Sequence, residues 1–377
     1  MVEYTIDIDF SPRRIDAGRK RIEAVQNFEI EDRVPVLLNV GPRYLLPKLG
    51  TGFRTFYDDP ELHLYYQILS WQWTLENLED DRLIEEELEV HPDFGEIITA
   101  GIFDEEHIVW EDDQPPYIIP WLGKARDVAH LKLPHISDNM GGRKLSYIEE
   151  MQFLVNKFHL RLQGEPILLR VGPGRQEGPF TAALNMAGDQ IFDWIQEEPN
   201  AVHDLLAMTT EVYIEYQRTI RQLVEMEMED VCIVSDGAEE LSMDSYRDFV
   251  LPRALQIYEA FPGQRRLRMR GDITHLLELL VEEQEITHLE TCSHEVDNEH
   301  LVEAMGGKVV VQGNVDPELM LRGTVEEVKE AAWEVLEAFA DVGGLVLSDG
   351  CEVLPDTPVE NVNALVHASE EFAEQNH

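Results

Sequence analysis

The sequence predicts an α/β fold: a single (β/α)8 TIM-type barrel over residues 31–377, with an N-terminal extension at 1–30 and an insertion at 94–145 after the second strand. Three observations carry that expectation. Eight short strand-like runs are each followed by at least one stretch of helical periodicity. No second core and no Gly/Ser linker divides the chain. Strand ends carry charged or thiol side chains, which a barrel delivers to one mouth. An open doubly wound sheet is the alternative, yet no strand is followed by G-x-G-x-x-G, and Gly172-Pro-Gly174 reads as a turn.

The extension holds a strand-like piece (4–10) and a basic helix (13–26), expected to cap the barrel floor. The first strand, 34–40, is ended by Gly41-Pro42, and a helix over 60–79 follows, with Leu62, Tyr65, Leu69, Trp73 and Leu75 near helical spacing. The second strand is 88–93. Residues 94–145, with Trp110, Pro115-Pro116, Tyr117 and Pro120-Trp121, are too irregular and too long for a simple connection, and are expected to form a hairpin and loops over the mouth. A helix over 145–162 leads to the third strand, 167–171, then helices over 181–197 and 200–226. The fourth strand (231–236), fifth (265–270), sixth (286–292), seventh (308–312) and eighth (345–349) alternate with helices over 242–261, 273–283, 298–305 and 324–339, and a last helix is entered through Thr357-Pro358.

The formal charge of −45 excludes the broad basic surface that nucleic-acid binding requires. Acidic pairs such as Glu282-Glu283 read as solvated helix faces, with adaptation to high salt as the alternative. No run of ~18 apolar residues predicts a membrane span, and the first residues lack the basic and apolar regions of a signal peptide, so a cytoplasmic location is expected. Three widely spaced cysteines, an odd number, suit a reducing compartment better than a disulfide framework.

The residues closing the strands are the candidates for chemistry: Asn39 with Arg43, Asp93, Arg170 with Arg175, Asp236, Arg268 with Arg270, Cys292 with His294, Asn314 with Asp316, and Asp349 with Cys351. Strand side chains alternate, so Leu267 and Met269 on the helix side turn Arg266, Arg268 and Arg270 inward, while Leu289 outward turns His288, Glu290 and Cys292 inward. Arg268 or Arg270 is then expected to meet Glu290. Guanidinium groups at such a site need a carboxylate partner or a bound anion. More arginines than partners collect there, which points to a small anionic substrate held by Arg43, Arg170, Arg268, Arg270 and Asn314. Glu290, Cys292, His294 and Cys351 offer zinc-compatible atoms, against which stand the nearby guanidinium charges and the lack of a Cys-x-x-Cys or His-Glu-x-x-His pattern. Cys232 reads as core, and Cys351, after a glycine at a strand end, as the better thiolate. Asp236 and Asp93 are the acid-base candidates, expected to stay ionised beside arginines.

Gly178-Pro-Phe-Thr181, Leu241-Ser242 before Tyr246 and Pro252, Gln312-Gly-Asn-Val-Asp-Pro317, and Gly350-Cys-Glu-Val-Leu-Pro-Asp-Thr-Pro-Val-Glu-Asn361 resemble the uroporphyrinogen decarboxylase superfamily over about residues 30–375. That superfamily includes decarboxylases of haem synthesis and cobalamin-dependent methyltransferases, and the resemblance implies a distorted (β/α)8 barrel. On the decarboxylase side, Gly41-Pro-Arg-Tyr-Leu-Leu-Pro47 is similar to the loop whose arginines grip substrate carboxylates, with Arg43 on one of them and Asn39 where another is missing. Asp93 takes the place of the aspartate that binds pyrrole N–H groups; Asp236 stands where those enzymes have serine and Cys351 where they have histidine. On the methyltransferase side, the resemblance implies a thiol-activating zinc held by His-x-Cys on the fifth strand and by a later cysteine. Cys351 matches the last ligand, whereas Arg268 and Arg270 replace the other two, leaving only a rearranged site through Glu290, Cys292 or His294.

The favoured reading is a corrinoid-linked methyltransferase in which Asp236, Asp93 and Cys351 act on the anionic substrate, with a corrinoid, free or on a corrinoid-binding protein, as cofactor or partner; zinc stays an open question and a homodimer is the oligomer considered. The second reading is a decarboxylase of a porphyrinogen or other polycarboxylate. The third is a binding protein that carries a tetrapyrrole or anion without chemistry.

Overall fold

The computed structural model describes residues 4–84, 87–290 and 292–376. Five strands, Val231–Val234, Arg265–Arg268, His288–Glu290, Val310–Val315 and Leu345–Asp349, run parallel in that order, each bonded to the next. Glu87–Val90 pairs in parallel with Glu165–Val171, and single bridges join Glu177 to Val234 and Val36 to Leu347, so eight strand positions follow one another in barrel order. The fold is thus the (β/α)8 barrel that strand and helix alternation predicts. Leu345–Asp349 is buried at every residue because helices cover its outer face and the interior its inner one, which explains its unbroken apolar start.

The first strand is held unusually. On one side Leu37 N donates to Leu347 O at 3.1 Å and Leu347 N to Pro35 O at 2.9 Å. On the other, one backbone bond, Asp81 N to Val36 O at 2.8 Å, is joined by two to side-chain carboxylates: Val36 N donates to Asp81 Oδ2 at 2.8 Å and Leu38 N to Asp80 Oδ2 at 3.3 Å. Asp81 is itself gripped by Arg33 through two bonds (2.8 and 3.1 Å) and by Arg21 Nη1 at 2.6 Å. Arg21 lies on the helix Pro12–Gln26, whose end reaches the strand starts: Gln26 Oε1 is 2.7 Å from His288 Nε2, and Val25 packs with Val310 and Val346.

Tyr4–Ile8 is a strand parallel to Phe158–Leu162, which runs antiparallel to the third barrel strand. The helix expected over 145–162 is therefore corrected at both ends, running Asn139–Leu154 instead. Phe158, Leu160 and Leu162 are buried while His159 and Arg161 are exposed, a period of two, and Gln163 and Gly164 turn the chain back with φ of 47° and 85°. After the second strand come a helix, Ile98–Phe103, and a short hairpin, Ile108–Val109 with Tyr117–Ile118. Among the described residues no helix is long and apolar enough to cross a membrane.

Candidate active site

The fifth strand sets the site. Leu267 and Met269 are fully buried, so the alternation turns Arg266, Arg268 and Arg270 the other way. Arg266 Nη1 lies 3.3 Å from Glu290 Oε1, and Cys232 Sγ donates to Glu290 Oε2 at 3.5 Å. Two expectations are corrected here. Glu290 is met by Arg266 rather than by Arg268 or Arg270, and Cys232 belongs to this polar cluster rather than to apolar core. Burial and the adjacent Glu290 hold the Cys232 thiol well above its usual range.

Arg268 and Arg270 instead share Glu96, which the loop between the second strand and Ile98–Phe103 brings over the mouth. Arg268 Nη1 is 3.3 Å and Arg270 Nη2 3.6 Å from the same oxygen, Glu96 Oε1. Arg270 Nε lies 3.1 Å from Asp236 Oδ2, just past the fourth strand. Both Asp236 carboxylate oxygens and the Nε atoms of Arg268 and Arg270 are buried without a hydrogen-bond partner. Burial, reinforced by Glu96, pushes Asp236 up to about 6 against the opposing pull of Arg270 and Arg268. This corrects the expectation of a permanently ionised group: Asp236 holds or loses a proton near neutrality.

Cys351 stands at the rim. Burial raises its thiol, with Glu352 and Asp236 adding to the rise and Arg270 and Arg268 opposing it, so it is a thiol rather than the expected thiolate. Glu352 is raised chiefly by burial, while Arg43, Arg270 and Arg268 pull it down. A Cβ at Gly41 would sit 2.4 Å from Glu352 Oε1, so the bare glycine lets Glu352 lie against the start of the helix Pro42–Lys48, which carries the exposed Arg43. Arg43, Glu96, Asp236, Arg268, Arg270, Cys351 and Glu352 thus gather at one mouth. Sequence reasoning missed Glu96, which no periodicity marks, and Glu352, which stands next to Cys351 in a motif already in view.

The other predicted residues lie apart from this group or are otherwise engaged. Asp93 belongs to a buried cluster. Its N–H donates to His63 Nε2 at 2.9 Å, and His63 Nδ1 contacts Phe56 O at 3.0 Å, which fixes a neutral ring donating from Nδ1; burial lowers that imidazole to about 4. Burial raises the Asp93 carboxyl, but His91, the Gly95 N–H, His63 and Lys144 outweigh it, so Asp93 sits below the usual range and stays ionised. Lys144, whose Nζ donates to Arg175 O at 2.8 Å, is lowered to about 8 by burial, and Glu177 is pushed up to about 7 by burial despite accepting from Ile98 N and Ala100 N. Arg170 is paired with Glu89 (2.6 Å) and Glu87 (3.8 Å). Asn314 gives its amide hydrogens to Val296 O (3.1 Å) and Ser293 O (3.4 Å), tying the loop after the sixth strand.

The zinc-compatible set does not converge. Glu290 is engaged by Arg266, Cys292 is wholly buried in the apolar core with its thiol pushed up to about 12, and His294 Nε2 lies 3.6 Å from Asp316 Oδ1. Among the described residues no group of three His, Cys, Asp or Glu is placed to hold a metal ion. Guanidinium groups beside Cys351 suit an anion and not a dication, so the residues present do not fit zinc.

The family model described as uroporphyrinogen decarboxylase (URO-D) matches residues 107–372. The uroporphyrinogen decarboxylase of Chlorobaculum tepidum is 28% identical over 216 residues, 52% of this chain and 58% of that protein. The methylcobamide:CoM methyltransferase MtaA of Methanosarcina barkeri is 28% identical over 220 residues, 54% of this chain and 60% of that protein. The chain thus spans about six-tenths of the length of these two relatives. A solved structure described as a methyltransferase from Methanosarcina mazei superposes with a TM-score of 0.70 at 21% identity, covering 94% of this chain and 98% of that one, which shows the shared fold. Family match, fold and strand order agree, and this chain belongs to the uroporphyrinogen decarboxylase (URO-D) family.

Proposed function

We propose that the chain is an enzyme that moves a methyl group from an anionic small molecule to a corrinoid supplied free or by a partner protein. One observation carries the reading: a protonatable carboxyl, Asp236, lies beside Arg268 and Arg270 at the strand ends, with Asp236 Oδ1 and Arg268 Nε buried and without a hydrogen-bond partner. Breaking a methyl–heteroatom bond leaves the electron pair on the heteroatom, which needs a proton. Asp236 is placed to supply that proton, and the guanidinium groups hold the substrate's anionic group in fixed forks. The methyl passes to the reduced corrinoid, the co-substrate in this reading. A relative named a methylcobamide:CoM methyltransferase supports a corrinoid as partner, although its name has the corrinoid as methyl donor, the reverse of the direction proposed for this chain. No step is routed through zinc, because Arg268 and Arg270 stand where the resemblance implies two of its ligands. Cys351, held as a thiol, lines the rim.

The test supplies purified protein with reduced cobalamin or a corrinoid protein and a panel of anionic methyl donors. Transfer is expected from at least one donor, and D236N and R268M are expected to lose it. Absence of both transfer and corrinoid binding would sink the reading. A second reading, decarboxylation of a polycarboxylate, draws support from Arg43 standing beside the same mouth and from the decarboxylases among the relatives. Porphyrinogen turnover followed by chromatography decides between the two.

A further inference from the structure

In this structure the anion pocket is occupied by the protein's own side chain. We propose that Glu96 is an internal stand-in for the substrate's anionic group, seated between Arg268 and Arg270, and that an incoming anion must displace it. The inference rests on the reading of the mouth as an anion site and adds what that site selects.

Glu96 is loosely held. Both guanidinium groups address one oxygen, Oε1, at 3.3 and 3.6 Å, longer than the ~2.7–2.9 Å of a good charge-assisted bond. The Nε of Arg268 is buried and without a hydrogen-bond partner, so its fork is half used, while the Nε of Arg270 faces Asp236 Oδ2 at 3.1 Å. An oxyanion with two or three oxygens on one centre can engage Nε and Nη together, which Glu96 does not. Displacement calls for side-chain rotation and not loop movement, because the backbone is pinned: Asn185 Nδ2 donates to Glu96 O at 2.9 Å, Ile97 is buried, and Ile98 N is fixed by Glu177.

Charge accounting points the same way. With Asp236 ionised, as it mostly is at pH 7, Glu96 and Asp236 already balance Arg268 and Arg270, so a third anion leaves surplus negative charge unless Glu96 departs or Asp236 takes up a proton. The competitor therefore filters ligands. A group offering a single oxygen gains little over Glu96, whereas a carboxylate bound through both oxygens, a phosphate, a phosphonate or a sulfonate completes the forks. Were Glu96 instead a fixed counter-ion beside an open seat, removing its charge would strengthen anion binding equally in E96Q and E96A, whereas a side chain that fills the seat predicts a larger gain when it is truncated than when it is only neutralised.

The experiment measures binding of inorganic phosphate and of succinate by titration calorimetry at pH 7 and low salt, for the wild-type chain, E96Q, E96A and R268M. Thermal melts check each variant's fold, and E96A serves should E96Q prove unstable. Both Glu96 variants are expected to bind at least one probe more tightly than wild type, by roughly tenfold if Glu96 fills the seat nine-tenths of the time, with E96A tighter than E96Q because glutamine still fills the seat, and R268M to bind neither. Equal gains in E96Q and E96A, or no gain in either, with binding still abolished in R268M, overturn the role of Glu96 alone. If no protein in the series binds either probe, the anion-site reading falls with it.

Discussion

A carboxyl beside two guanidinium groups ordinarily stays ionised, yet Asp236 is pushed up to about 6 because burial and Glu96 outweigh Arg270 and Arg268. A raised carboxyl favours the protonated form in the folded chain. Its contribution to stability is therefore full below the ordinary carboxylate range and is lost as pH rises through about 6. Urea unfolding between pH 4 and 8 should show a decline of up to about 3 kcal/mol from this group, and D236N should flatten that part of the curve. With the acid form as the working one, kcat/KM of the wild-type chain should fall above about pH 6. R268K tests the planar fork: lysine keeps the charge but not the paired donors, so anion affinity is expected to drop roughly tenfold or more in binding titrations. At this scale the sequence exposed the inward arginines through simple alternation. It could not expose Glu96, because a loop residue's position depends on tertiary placement, and the protonation state of Asp236 depends in turn on Glu96.

Among elements, the fifth strand was legible residue by residue, since Leu267 and Met269 declare its outer face. The piece 158–162 was not, because Phe158, Leu160 and Leu162 also suit a helix tail, and what decides for a strand is its pairing with Tyr4–Ile8, remote in sequence. The seam beside the first strand was equally hidden, since one backbone bond, Asp81 N to Val36 O, is all the regular pairing it has and two carboxylate side chains supply the rest. Asp81 is 4% exposed and answers two arginines and a backbone N–H. D81N should destabilise the chain by roughly 3–5 kcal/mol, the range for stripping a buried pair of one partner, as read from denaturant midpoints.

For the molecule as a whole, eight alternations of strand and helix made the barrel readable, because closure follows from the count and order of units and not from any one residue. Which branch of the family's chemistry applies was not readable that way, since a few residues at the mouth decide it. The charge of −45 acts at this scale too. Self-repulsion opposes the compact state and is screened by salt, so melting temperature should rise from 0.1 to 2 M KCl in thermal scans; a flat response would assign the acidic surface to solubility alone.

The barrel is a ring closed at one place by a clasp. Asp80 and Asp81 form it, and the first helix holds it shut through Arg21 while bracing the floor through Gln26. The strand so fastened runs through Gly41 directly into the helix Pro42–Lys48 bearing Arg43, so floor and rim form one mechanical path, and slack at the clasp is felt where the anion would sit.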